Sequence, residues 1–101
     1  MNIIQSDNYE ALGAQFSFEV VMILNEALKK HGISKELRKE ICGDFTFNFS
    51  MLLDQGEINN SKLSLAFIEN DNLIIKNDGF DYHDYAFGNV DEVFDAELNS
   101  I

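Results

Sequence analysis

Residues 44–54 read DFTFNFSMLLD, and two periods compete in them. Phe45, Phe47, Phe49 and Met51 alternate with small polar residues, as in a half-buried strand, and Gly43 could end a shorter helix before them. Leu37, Ile41, Phe45, Phe49 and Leu52 instead recur three or four apart, as on one face of a helix. The alternation breaks at Met51-Leu52-Leu53. A single helix is therefore expected over 34–54, capped by Ser34 and stopped at Asp54-Gln55-Gly56. Phe47 then points away from Phe45 and Phe49 and needs the sheet or a partner to cover it.

Upstream, Leu12, Phe16, Val20, Ile23, Leu24 and Ala27 recur at helical spacing behind Asp7 and Glu10, which are placed like a capping box. Lys29, Lys30 and His31 then set positive charge at the negative end of the helix dipole, and Gly32 suits a left-handed cap. This predicts a helix over 7–31, close in length to its successor and joined to it by a short turn. Downstream, KLSLAFIE, LIIK and FDYHDYAF are separated by NDN and NDG turns and read as an antiparallel meander. Asn89 can cap a last helix with Val90, Val93, Phe94 and Leu98 as its buried stripe.

The expected fold is α+β, with two long antiparallel helices packed on a small antiparallel β-meander and a short C-terminal helix. The 101 residues form a single domain, 1–101, since the length supports one modest core. Phe16, Val20, Ile23, Leu24, Ile41, Phe45, Leu52, Leu65, Phe67 and Ile74 are its expected core.

Charge narrows the function. Eighteen acids face seven bases, for a net charge of -11, which repels nucleic-acid phosphates and anionic lipid alike. After Lys76 come Asp78, Asp81, Asp84, Asp91, Glu92, Asp95 and Glu97 with no lysine or arginine between them, which suggests an acidic face. A lone Cys42 cannot form an internal disulfide, the N-terminus lacks a basic signal-peptide region, and Val20 to Leu24 is too short an apolar run to span a bilayer. A cytoplasmic protein is expected, with no membrane and no direct nucleic-acid contact.

Catalytic and metal chemistry find little support. Cys42 could pair with His31 or His83 as a thiolate-imidazole nucleophile, yet it lies on a helix that needs core residues. Asp78, Asp81, His83 and Asp84 are the densest group of potential ligands, but their spacing matches no calcium loop, and cysteine and histidine are too few for zinc. No glycine-rich phosphate cradle, nucleophile elbow or Walker lysine occurs. The reading is of a non-enzymatic protein with no cofactor and no metal. The bases Lys29, Lys30, Lys35, Arg38 and Lys39, beside His31, could meet an anion, although helix-end charge and pairing with neighbouring acids account for them.

What remains is an acidic, aromatic stretch. Aromatic side chains anchor interfaces and carboxylates steer encounters, so Asp78, Asp81, Tyr82, His83, Asp84, Tyr85, Asp91 and Glu92 are the candidate partner-binding residues. In composition the chain resembles the immunity proteins that neutralise nuclease toxins; the likeness covers no motif and transfers no residues. It implies an acidic protein that binds and inhibits a basic partner, a nuclease toxin or another nucleic-acid-binding protein. The alternatives are an acidic adaptor or subunit of a larger assembly, with Phe47 and Met51 as its exposed patch, and a nucleic-acid mimic.

Overall fold

A computed structural model describes residues 1–99. Helix α1 (Asn8–Lys30) and helix α2 (Lys35–Gln55) form an antiparallel hairpin, and α3 (Ala86–Asn99) packs against both. Strands β1 (Asn2–Gln5), β4 (Phe67–Glu69) and β5 (Asn72–Ile75) make a three-stranded sheet in the order β1-β5-β4, while β2 (Glu57–Ile58) and β3 (Ser61–Lys62) form a separate hairpin. The expected α+β architecture is present. Residues 45–51 are helical, so the three-and-four spacing outweighs the alternation.

Local chemistry fixes the helix ends. The Ser34 hydroxyl accepts from the Leu37 N–H at 3.4 Å, and Gly32 takes a φ of 77° while its N–H and that of Ile33 close the last turn of α1. Both β-turns rest on pairs that tolerate the left-handed region, Asn59-Asn60 and Asn70-Asp71. Asp7 starts α1 without a side-chain cap bond, so the expected capping box is not formed.

The sheet differs from a simple meander. β1 pairs with β5 in parallel, with Ile4 beside Ile74, and β4 pairs with β5 in antiparallel register. The segment FDYHDYAF is no strand: Tyr82–Asp84 form a 3-10 turn, and α3 begins at Ala86, before the expected cap at Asn89. Asn89 is buried within the helix instead. The Leu98 side chain lies outside the described residues.

Burial is the main correction. The buried row of α1 is Tyr9, Gly13, Ser17, Val21 and Asn25, and that of α2 includes Cys42, Gly43, Thr46, Ser50 and Leu53. These mostly small side chains let α3 come close and seat Val90, Val93 and Phe94 against Val21 and Cys42. A second cluster at the sheet end joins Tyr9, Leu53, Ile74, Phe80 and Tyr82, with Phe16, Leu65 and Phe67 packed around it. Ile23, Phe45 and Leu52, expected in the core, are exposed, because no element among the described residues lies across the face that carries them. Val20, Leu24 and Ile41 are half-buried. By length and composition α1 could also cross a membrane, with a mean hydropathy of 1.2 over its most apolar window, but here it supplies the central buried row of the fold.

Candidate functional site

The 3-10 turn owes its place to an aspartate distant in sequence. Asp54, in the last turn of α2, has a side chain 0% exposed, and its carboxylate accepts from the Tyr82 N–H at 2.7 Å and the His83 N–H at 2.9 Å. These are the free donors at the start of the turn, so Asp54 caps it from another element. The same carboxylate takes His83 Nδ1 at 2.7 Å, and Lys76 Nζ stands 3.7 Å from both Asp54 and Asp81.

His83 is consequently held between carboxylates. Its bond to Asp54 raises its pKa above the usual histidine range; partial burial opposes the shift, and the nearby charges of Asp84, Asp54 and Asp81 support it. Nε2 faces Asp84 at 3.4 Å, so both ring nitrogens face carboxylates and the ring acts as a clamp on the turn. Asp54, Asp81 and His83 bring ligand atoms within 4.8 Å of one another, a spacing that could hold a metal ion. The Lys76 ammonium already bridges the two carboxylates of that group.

Behind the clamp, the Tyr9 hydroxyl donates to the Leu65 carbonyl at 2.7 Å and therefore accepts from the Tyr82 hydroxyl, also at 2.7 Å. Burial raises the pKa of both phenols, keeping them neutral. Tyr82 is only 1% exposed, so it is a core residue with no surface for a partner, which corrects its place among the candidate binding residues. Gly13 makes this packing possible: a Cβ there would lie 2.9 Å from Phe80 Cζ and 3.1 Å from the Tyr82 hydroxyl.

Outside the clamp lies an open concavity of about 500 Å³. Asp7 and Glu10 line it from the start of α1, Asp78 from the loop before the turn, and Asp84 and Tyr85 from the turn and its end. Asp7 accepts from the Asn77 amide at 2.9 Å, and Glu10 accepts from the Tyr85 hydroxyl, which raises the Tyr85 pKa. Tyr85 stacks on Phe80 with ring centroids 5.4 Å apart. No lysine, arginine or histidine lines the concavity. Four carboxylates around an aromatic floor suit a guanidinium or ammonium group.

The remaining candidates are dispersed. Asp81 pairs with Lys76, Asp91 pairs with Lys39 at 3.4 Å, and Glu92 stands on α3 beside a shallow recess lined by Ala11, Ala14 and Phe18. Arg38 is buried; it donates to Asn25 at 2.9 Å and the Ile33 carbonyl at 2.7 Å, and forms an ion pair with Glu97. The bond from Asn25, with the charges of Arg38, Lys29 and Lys35, holds the Glu97 pKa below its usual value against partial desolvation. The run of acids after Lys76 is thus partly compensated, because bases of α1 and α2 reach α3. Cys42 is fully buried, and burial raises its thiol pKa.

Sequence reasoning missed Asp54, Asp7 and Glu10. Asp54 carried a signal, since an acid in the last turn of a helix opposes the dipole and asks for another reason to be there. No family model, curated protein or solved structure matches the chain.

Proposed function

We propose that this is a non-enzymatic acidic protein of the cytoplasm that binds and inhibits a basic protein, in the manner of the immunity proteins it resembles in composition, with a nuclease toxin as a fitting target. The observation that carries the reading is the concavity formed by Asp7, Glu10, Asp78 and Asp84, which no base lines. A lysine or arginine of the partner enters it, while the net charge of -11 speeds the encounter. Asp84 and Tyr85 stay at the contact, with Asp91 and Glu92 as outlying steering charges. Asp81 and His83 hold the turn that presents them.

The test is kinetic. A cationic protein recovered from the source cell should associate about ten-fold more slowly at low salt with the variant D7N/E10Q/D78N/D84N than with the native chain, since steering acts on the on-rate. An unaltered rate with unaltered salt dependence would reduce the acids to solubility. The second reading, a subunit of a larger assembly, is favoured by one observation, the exposed apolar face of the helical hairpin. Phe47 and Met51 are not that patch: both are half-buried, and Phe47 stacks on Phe87 at 5.7 Å.

A further inference from the structure

The face of the α1–α2 hairpin turned away from α3 is apolar and, among the described residues, uncovered. Ile23 is 70% exposed, Leu37 46%, Leu52 42% and Phe45 41%, with Val20 and Ile41 half-buried between them. Phe16 and Phe49, whose ring centroids lie 6.3 Å apart, mark the end of the face that the sheet-side cluster reaches. Isolated exposed apolar residues are ordinary, but a run of them along both helices marks a contact surface.

The chain is less compact than its length alone requires, and the fully exposed strands β1, β2 and β3 share in this with the open face. The radius of gyration is 15.2 Å, against about 13 Å for a compact chain of this length. The accessible surface of 6647 Å² exceeds the roughly 5,800 Å² usual for this mass.

Charge decides what covers the face. Glu19 and Glu26 flank Ile23 on α1, Glu40 and Asp44 flank the stripe on α2, and all four are exposed, with Lys30 as the base on the same rim. A second copy packed face to face would set acidic edge against acidic edge, in a pair whose members each carry -11. A helix with a leucine-like stripe bordered by lysine or arginine meets the same face with apolar surface at its centre and opposite charge at its rims. From Leu37 to Leu52 the stripe runs roughly 22 Å, about four helical turns.

We infer that the open face of the α1–α2 hairpin docks a basic amphipathic helix of a partner protein. The inference rests on the reading of a basic partner and adds the element by which that partner is held, at a site separate from the acidic concavity.

The probe is an 18-residue Leu/Lys peptide, designed with about one apolar stripe per helix. It is compared with a scrambled peptide of equal composition and with a Leu/Glu peptide of the same pattern, by fluorescence anisotropy on the full chain at about 0.15 M salt, near physiological ionic strength. The Leu/Lys helix should bind one to one, with the scrambled and Leu/Glu peptides at least about ten-fold weaker, a gap of about 1.4 kcal/mol. The variant I23S/L37S should lose at least about ten-fold in affinity while D78N/D84N keeps it, with thermal midpoints recorded for both. Since Ile23 and Leu37 are exposed, that variant remains folded. Equal binding of the scrambled peptide, or full binding by I23S/L37S, overturns the inference. So does a native homodimer that I23S/L37S dissolves, or adsorption to phosphatidylcholine vesicles that it abolishes. Peptide binding lost in D78N/D84N and kept in I23S/L37S would overturn the hairpin site alone and leave the basic-partner reading standing.

Discussion

The two faces of the α1–α2 hairpin invert the usual relation between hydrophobicity and burial. The face under α3 and the turn that precedes it presents Gly13, Ser17 and Val21 from α1 with Cys42, Thr46 and Ser50 from α2, and all are buried, Gly13 against Phe80 and Tyr82. The opposite face carries Ile23, Leu37, Phe45 and Leu52, and all are exposed. Small side chains admit close approach of a third helix, whose own Val90, Val93 and Phe94 supply the apolar surface. Large ones build a ridge that only a further element can cover. Hydrophobic periodicity therefore identified a face that wants a cover, while side-chain size identified the face that already has one.

Truncation should separate the two faces widely. Phe94 is 2% exposed in the α3 cluster, and F94A should cost about 3–5 kcal/mol in urea unfolding. The same measurement on I23A should stay within about 0.5 kcal/mol, because Ile23 already lies in water. Equal costs would mean that the open face is covered within the chain and would remove the contrast.

Next in size is the clamp that ties the hairpin corner to α3. Arg38 serves Asn25, the Ile33 carbonyl and Glu97 at once. R38A should cost about 1.5–3 kcal/mol, the range for hydrogen bonds to charged groups. Glu97 retains some exposure and Lys29 at 4.0 Å, which keeps the loss below that of a fully buried pair. Below it stands G13A. Alanine is the better helix former by about 1 kcal/mol, but its Cβ would meet Phe80 at 2.9 Å, so a net loss of about 1–2 kcal/mol is expected by thermal unfolding. A stabilised G13A would show that the small-residue face has room to spare.

Much of the fold was legible in local pattern. Both long helices fall within a residue or two of expectation, since Ser34, Gly32 and the three-and-four stripes act within their own segments. The β4–β5 turn at Asn70-Asp71 was equally local. What escaped depends on distant partners. FDYHDYAF alternates like a strand, yet Asp54 captures the N–H groups of Tyr82 and His83 and turns the chain. The pairing of β1 with β5 spans most of the sequence and has no local signal. The concavity is half legible: Asp78, Asp84 and Tyr85 stand in the acidic, aromatic stretch, while Asp7 and Glu10 sit where a capping box would and carry no other local mark.

The smallest effect concerns the clamp that aims Phe80 and Tyr82 at Gly13, and it is read through pH. The folded state raises the His83 pKa above the unfolded value of about 6.5 through the bond to Asp54. The protonated ring therefore favours folding. This contribution is complete below about pH 6.5, declines once the unfolded chain releases its proton, and is lost as pH rises through the folded-state value. H83Q lacks it at every pH. The melting difference between the native chain and H83Q should be largest near pH 6 and shrink toward alkaline pH, with the side chain's partial exposure keeping it modest. A gap constant across that window would make the bond between Asp54 and His83 neutral in character, and the absence of a gap would leave the hold on the turn to the two backbone N–H bonds to Asp54.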